Sequence, residues 1–174
     1  MNNYLKEVQR GMDLLAANPK TLFVGQAMQY KGHAVSKQVE NYTYHKKIEF
    51  PVAEDFQAGF CLGLAITGQI PVCVYPRHDF TILALNQILN HIDRWPLMSP
   101  ESNIKVIIKI LVGAKQPLHG GHQHTANYIE AFKLMCQTIK VFDLTSADLI
   151  YPAYEEALNK PGSYIISEYT ELYS

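Results

Sequence analysis

The sequence predicts an α/β protein, a six-stranded, mainly parallel sheet with helices on both faces. Three observations predict it. Six short apolar runs are spread along 174 residues. Helical apolar spacings lie between them. One run, IKVIIKIL at 104–111, is nearly continuous and β-branched, as a strand buried on both faces is.

The elements follow in order. Residues 3–16 place Tyr4, Val8, Met12 and Leu15 at helical spacing. The run Thr21–Gly25 predicts a strand. Residues 26–47, rich in Gln, Tyr and Lys, predict a long loop, and loops of that length inside a domain usually serve function. A second strand is expected at 48–52. Residues 53–68 predict a helix with Glu54 and Asp55 in its first turn, where the helix dipole favours acids. Gly59 and Gly63 share one face of it. Glycine weakens a helix, so the expected compensation is close approach of another backbone. A strand at 71–75 and an amphipathic helix at 79–94 come next, with Asp79 as its N-cap. After the strand at 104–111 lies a loop rich in Gly and His at 113–125. A helix at 126–137, a strand at 139–143, a helix at 146–158 and a strand at 163–168 complete the chain. In such sheets ligands bind outside the carboxyl ends of the strands. The loops 26–47, 76–80 and 113–125 should meet there, together with Glu54.

Composition narrows the function. Hydrophobic residues are 48% and charged residues 18%, which suits one globular domain over 1–174. Net charge is −1, so no global field is available to hold nucleic acid or an anionic membrane. The 3 cysteines, Cys61, Cys73 and Cys136, form no C-x-x-C pair. This excludes a disulfide framework and fits a reducing, cytoplasmic setting. The start, MNNYLKEVQRGMDLL, has no apolar core of a signal peptide, and no run of about 18 apolar residues suggests a membrane span.

Three places could carry chemistry. Glu54, in FPVAEDFQAGF, is either a helix-terminal acid or a carboxyl held among Phe50, Val52 and Phe56, where burial suits it to share a proton with a bound base. His119, His122 and His124 lie within six residues. Imidazoles in one loop can reach one metal ion, serve as acid or base, or simply be solvated. No acid or Cys completes a ligand set at the usual spacing. The stretch Tyr75-Pro76-Arg77-His78-Asp79-Phe80 follows a strand, and Phe80 is either core or a face on which a flat ring stacks. Neither a nucleophile elbow G-x-S-x-G nor a phosphate cradle G-x-G-x-x-G or G-x-x-x-x-G-K-[ST] occurs.

Together these segments resemble a known pattern. TLFVGQAMQYKGHAVS is similar to the first strand and G-E-x-x-x-Q-Y-x-G loop of the pyrimidine-binding (Pyr) domain of thiamine-diphosphate enzymes of the transketolase superfamily. The likeness is to the N-terminal half of the β subunit of 2-oxoacid dehydrogenase E1 components. FPVAEDFQAGFCLGLAITGQIPVCVY, DFTILALNQILNHIDRWPLMS and GGHQHTANYIEAF resemble three further family segments, in the same order and spacing. The family's first P-I-S-E acid falls on Glu54, its stacking aromatic on Phe80, and the histidine of its Q-H-S on His124.

The resemblance implies specific roles. Glu54 would hydrogen-bond N1′ of the cofactor's aminopyrimidine and promote loss of its C2 proton. Phe80 would stack on that ring, with Tyr75 and His78 as further cofactor-binding residues. His124 would face the reacting centre, and the helix with Gly59 and Gly63 would pack on a partner chain. Gln26 stands where the family has an acid, His78 stands near a usual aromatic, and Arg77 adds a cation. No G-D-G followed by N-N is present, the family's signature for Mg²⁺ and diphosphate in its PP domain. The resemblance therefore implies one half of a split enzyme, inactive alone, with a PP-domain partner chain holding Mg²⁺. It implies a homodimer or a heterotetramer, acting on a 2-oxo acid or ketose by decarboxylation or two-carbon or acyl transfer. The competing expectations are a metal-dependent hydrolase built on His119, His122 and His124, and a Pyr-like binding subunit without catalysis.

Overall fold

The computed structural model describes residues 3–30, 34–115 and 119–173. Six strands form one sheet in the order β2-β1-β3-β4-β6-β5, every neighbouring pair parallel. They are β1 Thr21–Gly25, β2 Lys47–Glu49, β3 Ile70–Tyr75, β4 Ile107–Val112, β5 Lys140–Leu144 and β6 Tyr164–Tyr169. The helices are α1 Asn3–Ala17, α2 Ala34–Gln38, α3 Glu54–Ile66, α4 Trp95–Met98, α5 Ile129–Met135 and α6 Ile150–Asn159.

Strand alternation sorts the core into two layers. Val72 and Val74 of β3, with Ile107 and Leu111 of β4, face α1 and α6 and meet Val8, Met12, Leu15 and Tyr154. Cys73 and Tyr75, with Ile108 and Ile110, face the other way, onto Ala58, Cys61 and Leu62 of α3 and Phe132 of α5. An ion pair lies hidden in the first layer. Lys109 of β4 is fully buried and pairs with the fully buried Glu168 of β6. Tyr154 and Tyr173 donate their hydroxyls to the same carboxylate. Burial pushes the Lys109 ammonium pKa down, against the pull of Glu168.

Several elements depart from expectation. The loop after β1 contains α2 and a 3₁₀ turn at Tyr44–Lys46, and β2 spans three residues. Phe50 N–H still reaches Gly25 C=O at 2.9 Å, but Pro51 has no N–H with which to extend the ladder. Residues 79–94 are not a regular α-helix. His78–Ala84 is a 3₁₀ helix and Asn86–Ile92 a π-helix. Asp79 does not cap it, because its Oδ1 accepts from the Ala126 N–H at 3.3 Å. At the far end the buried Asp93 accepts the N–H groups of Gln137, Thr138 and Ile139. Tertiary bonds pin both ends, and the winding between them adjusts.

The glycines of α3 also differ from expectation. Gly59 faces the Gln87 side chain, and Gly63 has open space before it. Within the described residues no other backbone approaches either. Beside them, Phe56 is 62% exposed on α3 and Leu83 is 64% exposed on the adjoining 3₁₀ helix. No helix among the described residues is long and apolar enough to cross a membrane.

The chain runs from β1 outward to β2 and returns to β3 on the other flank of β1. Connections therefore part between β1 and β3, and the crevice at their carboxyl ends is where this architecture binds ligands.

Candidate functional site

Glu54 opens α3 at that crevice and is only 4% exposed. Its surroundings are polar and specific. The Gln26 Nε2 donates to its Oε1 at 3.0 Å. The Tyr75 hydroxyl donates to its backbone carbonyl at 2.9 Å. One turn on, the fully buried Gln57 donates its Nε2 to the Val74 carbonyl at 3.1 Å and contacts Cys73 Sγ at 3.3 Å. Gln57 thus ties the start of α3 to the end of β3. The helix has no side-chain N-cap, since Ala53 stands there.

Gly25 closes β1 beside this point. A Cβ there would stand 2.5 Å from the Val74 carbonyl oxygen, so only glycine allows the strands to approach so closely. Just beyond, an open cleft of about 410 Å³ is lined by Gln26, Ala27, Tyr30, Glu49, Phe50, Pro51 and Val52. Glu49 shapes its rim by accepting the N–H groups of Ala27 and Gln29 at 2.9 and 2.8 Å. Ala27 is held in the left-handed region at φ 59°.

A second group of side chains comes from the segments that follow β3 and β4. Phe80, in the 3₁₀ helix after β3, meets His124 edge to face, with centroids 5.5 Å apart. Both are partly exposed. Gly113, the residue after β4, permits this arrangement. A Cβ on it would collide with the His124 carbonyl oxygen.

The expected site residues divide into two kinds. Glu54, Phe80 and His124 lie at the carboxyl edge of the sheet, as expected. Tyr75 and His78 are wholly buried and present no free face to a ligand. Tyr75 holds the first residue of α3, and burial raises its hydroxyl pKa. His78 accepts the Tyr128 N–H through Nδ1 at 2.9 Å and stacks on Phe132. Burial pushes its imidazole pKa down to about 4. Both support the site from beneath. Arg77 donates to the adjacent Pro76 carbonyl, and its stem passes Gly113.

The three histidines do not converge. His119 Nδ1 accepts the Gly121 N–H at 3.0 Å, His122 packs on His119, and His124 turns to Phe80. Among the described residues no group of three or more His, Cys, Asp or Glu side chains could hold a metal ion. The hydrolase expectation loses its centre there. Gln57, Glu49 and Gly113 are the contributors that sequence reasoning missed. Only Gly113 carried a signal, as a glycine directly after the strongest strand.

The residues at the edge suit the ring end of thiamine diphosphate. A ring nitrogen needs a carboxyl partner shielded from water, and Glu54 is a buried carboxyl whose backbone and Oε1 are both fixed. A flat heterocycle needs an aromatic face, and Phe80 is partly open.

Comparison with known proteins adds to this geometry. No family model matches the chain. Over 160 residues it is 24% identical to the mitochondrial β subunit of the pyruvate dehydrogenase E1 component of Drosophila melanogaster, covering 90% of this chain and 43% of that protein. A split-gene transketolase, described as an inactive β4 tetramer, superposes with a TM-score of 0.67 at 21% identity, over 94% of this chain and 50% of that one. Transketolase from Leishmania mexicana superposes with a TM-score of 0.71 at 16% identity, over 93% of this chain and 24% of that one. The chain thus spans half or less of the length of these relatives.

Proposed function

We propose that this chain, a Pyr-type domain of the transketolase superfamily, is the pyrimidine-binding half of a split thiamine-diphosphate enzyme. A PP-domain partner chain holds the diphosphate and Mg²⁺. The observation that carries the proposal is the buried Glu54 at the start of α3, beside the β1/β3 crevice. The E1 β likeness and the transketolase folds support it. These 174 residues contain no G-D-G followed by N-N, so the diphosphate end of the cofactor has to be held from outside them.

When bound, thiamine diphosphate would supply a nucleophilic carbon for chemistry at the carbonyl of a 2-oxo acid or ketose. The chain's own residues do the rest. Glu54 holds a proton between its carboxyl and the cofactor's ring nitrogen N1′, and burial of the carboxyl away from water strengthens that bond. Gln26 fixes one carboxylate oxygen and Tyr75 the backbone behind it, so the carboxyl is oriented before the cofactor arrives. Phe80 offers its face to the ring. His124, edge-on to Phe80, moves a proton at the substrate's oxygen.

Calorimetry tests the split arrangement. The chain titrated alone with thiamine diphosphate and Mg²⁺ should show weak binding and no turnover. Adding a PP-domain chain should bring both tight binding and activity. Tight one-to-one binding by the chain alone would overturn the arrangement. The similar split-gene transketolase is described as inactive in its β4 form, the behaviour expected here without a partner.

A further inference from the structure

We propose that His78 is a positioning residue whose neutral imidazole, accepting the Tyr128 N–H through Nδ1, fixes the segment that presents His124. The functional part of this inference rests on the reading of His124 above; the clamp itself does not.

The 119–128 segment has little regular structure, one 3₁₀ turn at His122–His124. It must be held from outside. Contacts along its second half hold it, besides the Asn127 Nδ2, which donates to the Tyr169 hydroxyl at 3.0 Å. Midway along it the His124 carbonyl abuts Gly113, at the end of β4. Further on the Ala126 N–H donates to Asp79 Oδ1 at 3.3 Å. At its end the Tyr128 N–H donates to His78 Nδ1 at 2.9 Å. Asp79 and His78 are adjacent and sit in the same 3₁₀ turn as Phe80, the ring that His124 touches. One turn therefore provides both the aromatic face and the grip on the residue opposite it.

His78 provides the stronger grip. Its side chain is fully buried and its ring stacks on Phe132 with centroids 5.7 Å apart and planes at 20°. Burial favours the neutral form. Only that form leaves Nδ1 free to accept, because imidazolium donates from both nitrogens. A phenyl ring would fill the same space and stack as well. It would leave the Tyr128 N–H without an acceptor, at a cost of roughly tenfold or more in the local opening equilibrium.

The test is amide hydrogen exchange on His78→Phe and His78→Asn. Asparagine retains an acceptor oxygen close to the place of Nδ1. His78→Phe should speed exchange by about tenfold or more at Tyr128 and at the amides back to His124. The amides of β3 and α3 should keep the parent rates. His78→Asn should restore most of the protection. Parent-like exchange in His78→Phe, or equal acceleration in both variants, would overturn the proposal. Should His78→Phe fail to fold, nitrogen-15 spectra of the parent chain decide instead. They should show an unprotonated Nδ1 bonded to the Tyr128 N–H, and a protonated Nδ1 would overturn it. Neither measurement involves cofactor or turnover, so failure of the clamp and failure of the thiamine reading are separable.

Discussion

The rings of Phe80 and His124 meet edge to face, their planes at 87° and their centroids 5.5 Å apart. They come from the segments that follow β3 and β4, and neither segment alone could form the pair. If His124 moves a proton at the reacting centre, His124→Ala should cut turnover of the assembled enzyme by about 10²–10⁴-fold. Cofactor affinity should change little, because in the proposed site Glu54 and Phe80 would hold the ring. Steady-state kinetics beside a cofactor titration separates the two effects. Parallel losses in both would assign His124 to binding.

Gly113 lies beneath that pair. The Cβ of Gly113→Ala would collide with the His124 carbonyl, a backbone atom that cannot swing aside. Overpacking of this kind costs about 1–3 kcal/mol. We expect a lower melting temperature together with reduced turnover, since the loop must shift. Unchanged stability and turnover would show that the loop accommodates the methyl group.

Acid should weaken the fold through His78. Its pKa falls from 6.5 to about 4, chiefly through burial, with Asp79 and Asp143 pulling the other way. The folded pKa lies below the unfolded one, so the unfolded chain takes the proton first. The stabilisation is whole above pH 6.5 and is lost as pH falls toward 4. At about 1.4 kcal/mol per unit, the parent should lose roughly 2 kcal/mol more than His78→Asn between pH 7 and pH 5. Urea titrations at both values measure the difference, and equal losses would remove His78 as the cause.

The sheet was legible because its strands are short β-branched runs, and a run buried on both faces needs no partner residue to identify it. Lys109 escaped notice for the same reason, as one of two lysines inside IKVIIKIL, its partner Glu168 lying far along the chain in β6. The 78–92 stretch was not legible, because its winding depends on Asp79, Asp93 and His78 bonding to backbone that is distant in sequence. Glu54 stood out as the first acid of a helix after a strand. Gln57 and Glu49 did not, since each works through backbone groups that only the fold brings near. The family resemblance implies cofactor contacts for Tyr75 and His78, but both side chains lie in the core.

The apolar face of α3 should seat another chain. Phe56 and Leu83 are both more than half exposed, and Gly63 has open space before it, room for an opposing side chain or backbone. Phe56→Asp should lower the mass seen by light scattering at micromolar concentration while circular dichroism stays unchanged. A monomeric parent, or an unchanged mass in the variant, would count against this face.

Glu54 allows the sharpest separation of binding from catalysis. Glu54→Gln keeps the side chain's length and its hydrogen-bonding capacity. Gln26 and Tyr75 can still engage it, since the Tyr75 contact is to the backbone carbonyl. The fold, the assembly with a partner and the cofactor affinity should therefore persist. An amide cannot share a proton with N1′ as a carboxyl does, so the loss should fall on the step that removes the cofactor's C2 proton. In the reconstituted enzyme, exchange of that hydrogen for deuterium should slow by orders of magnitude. Turnover should drop by about 10²-fold or more, the usual size for a proton-transfer residue. Exchange at the parent rate would reduce Glu54 to a helix-terminal acid, stabilising α3 by about 0.3–1 kcal/mol through its dipole, and the chain would then be a binding subunit without a catalytic carboxyl.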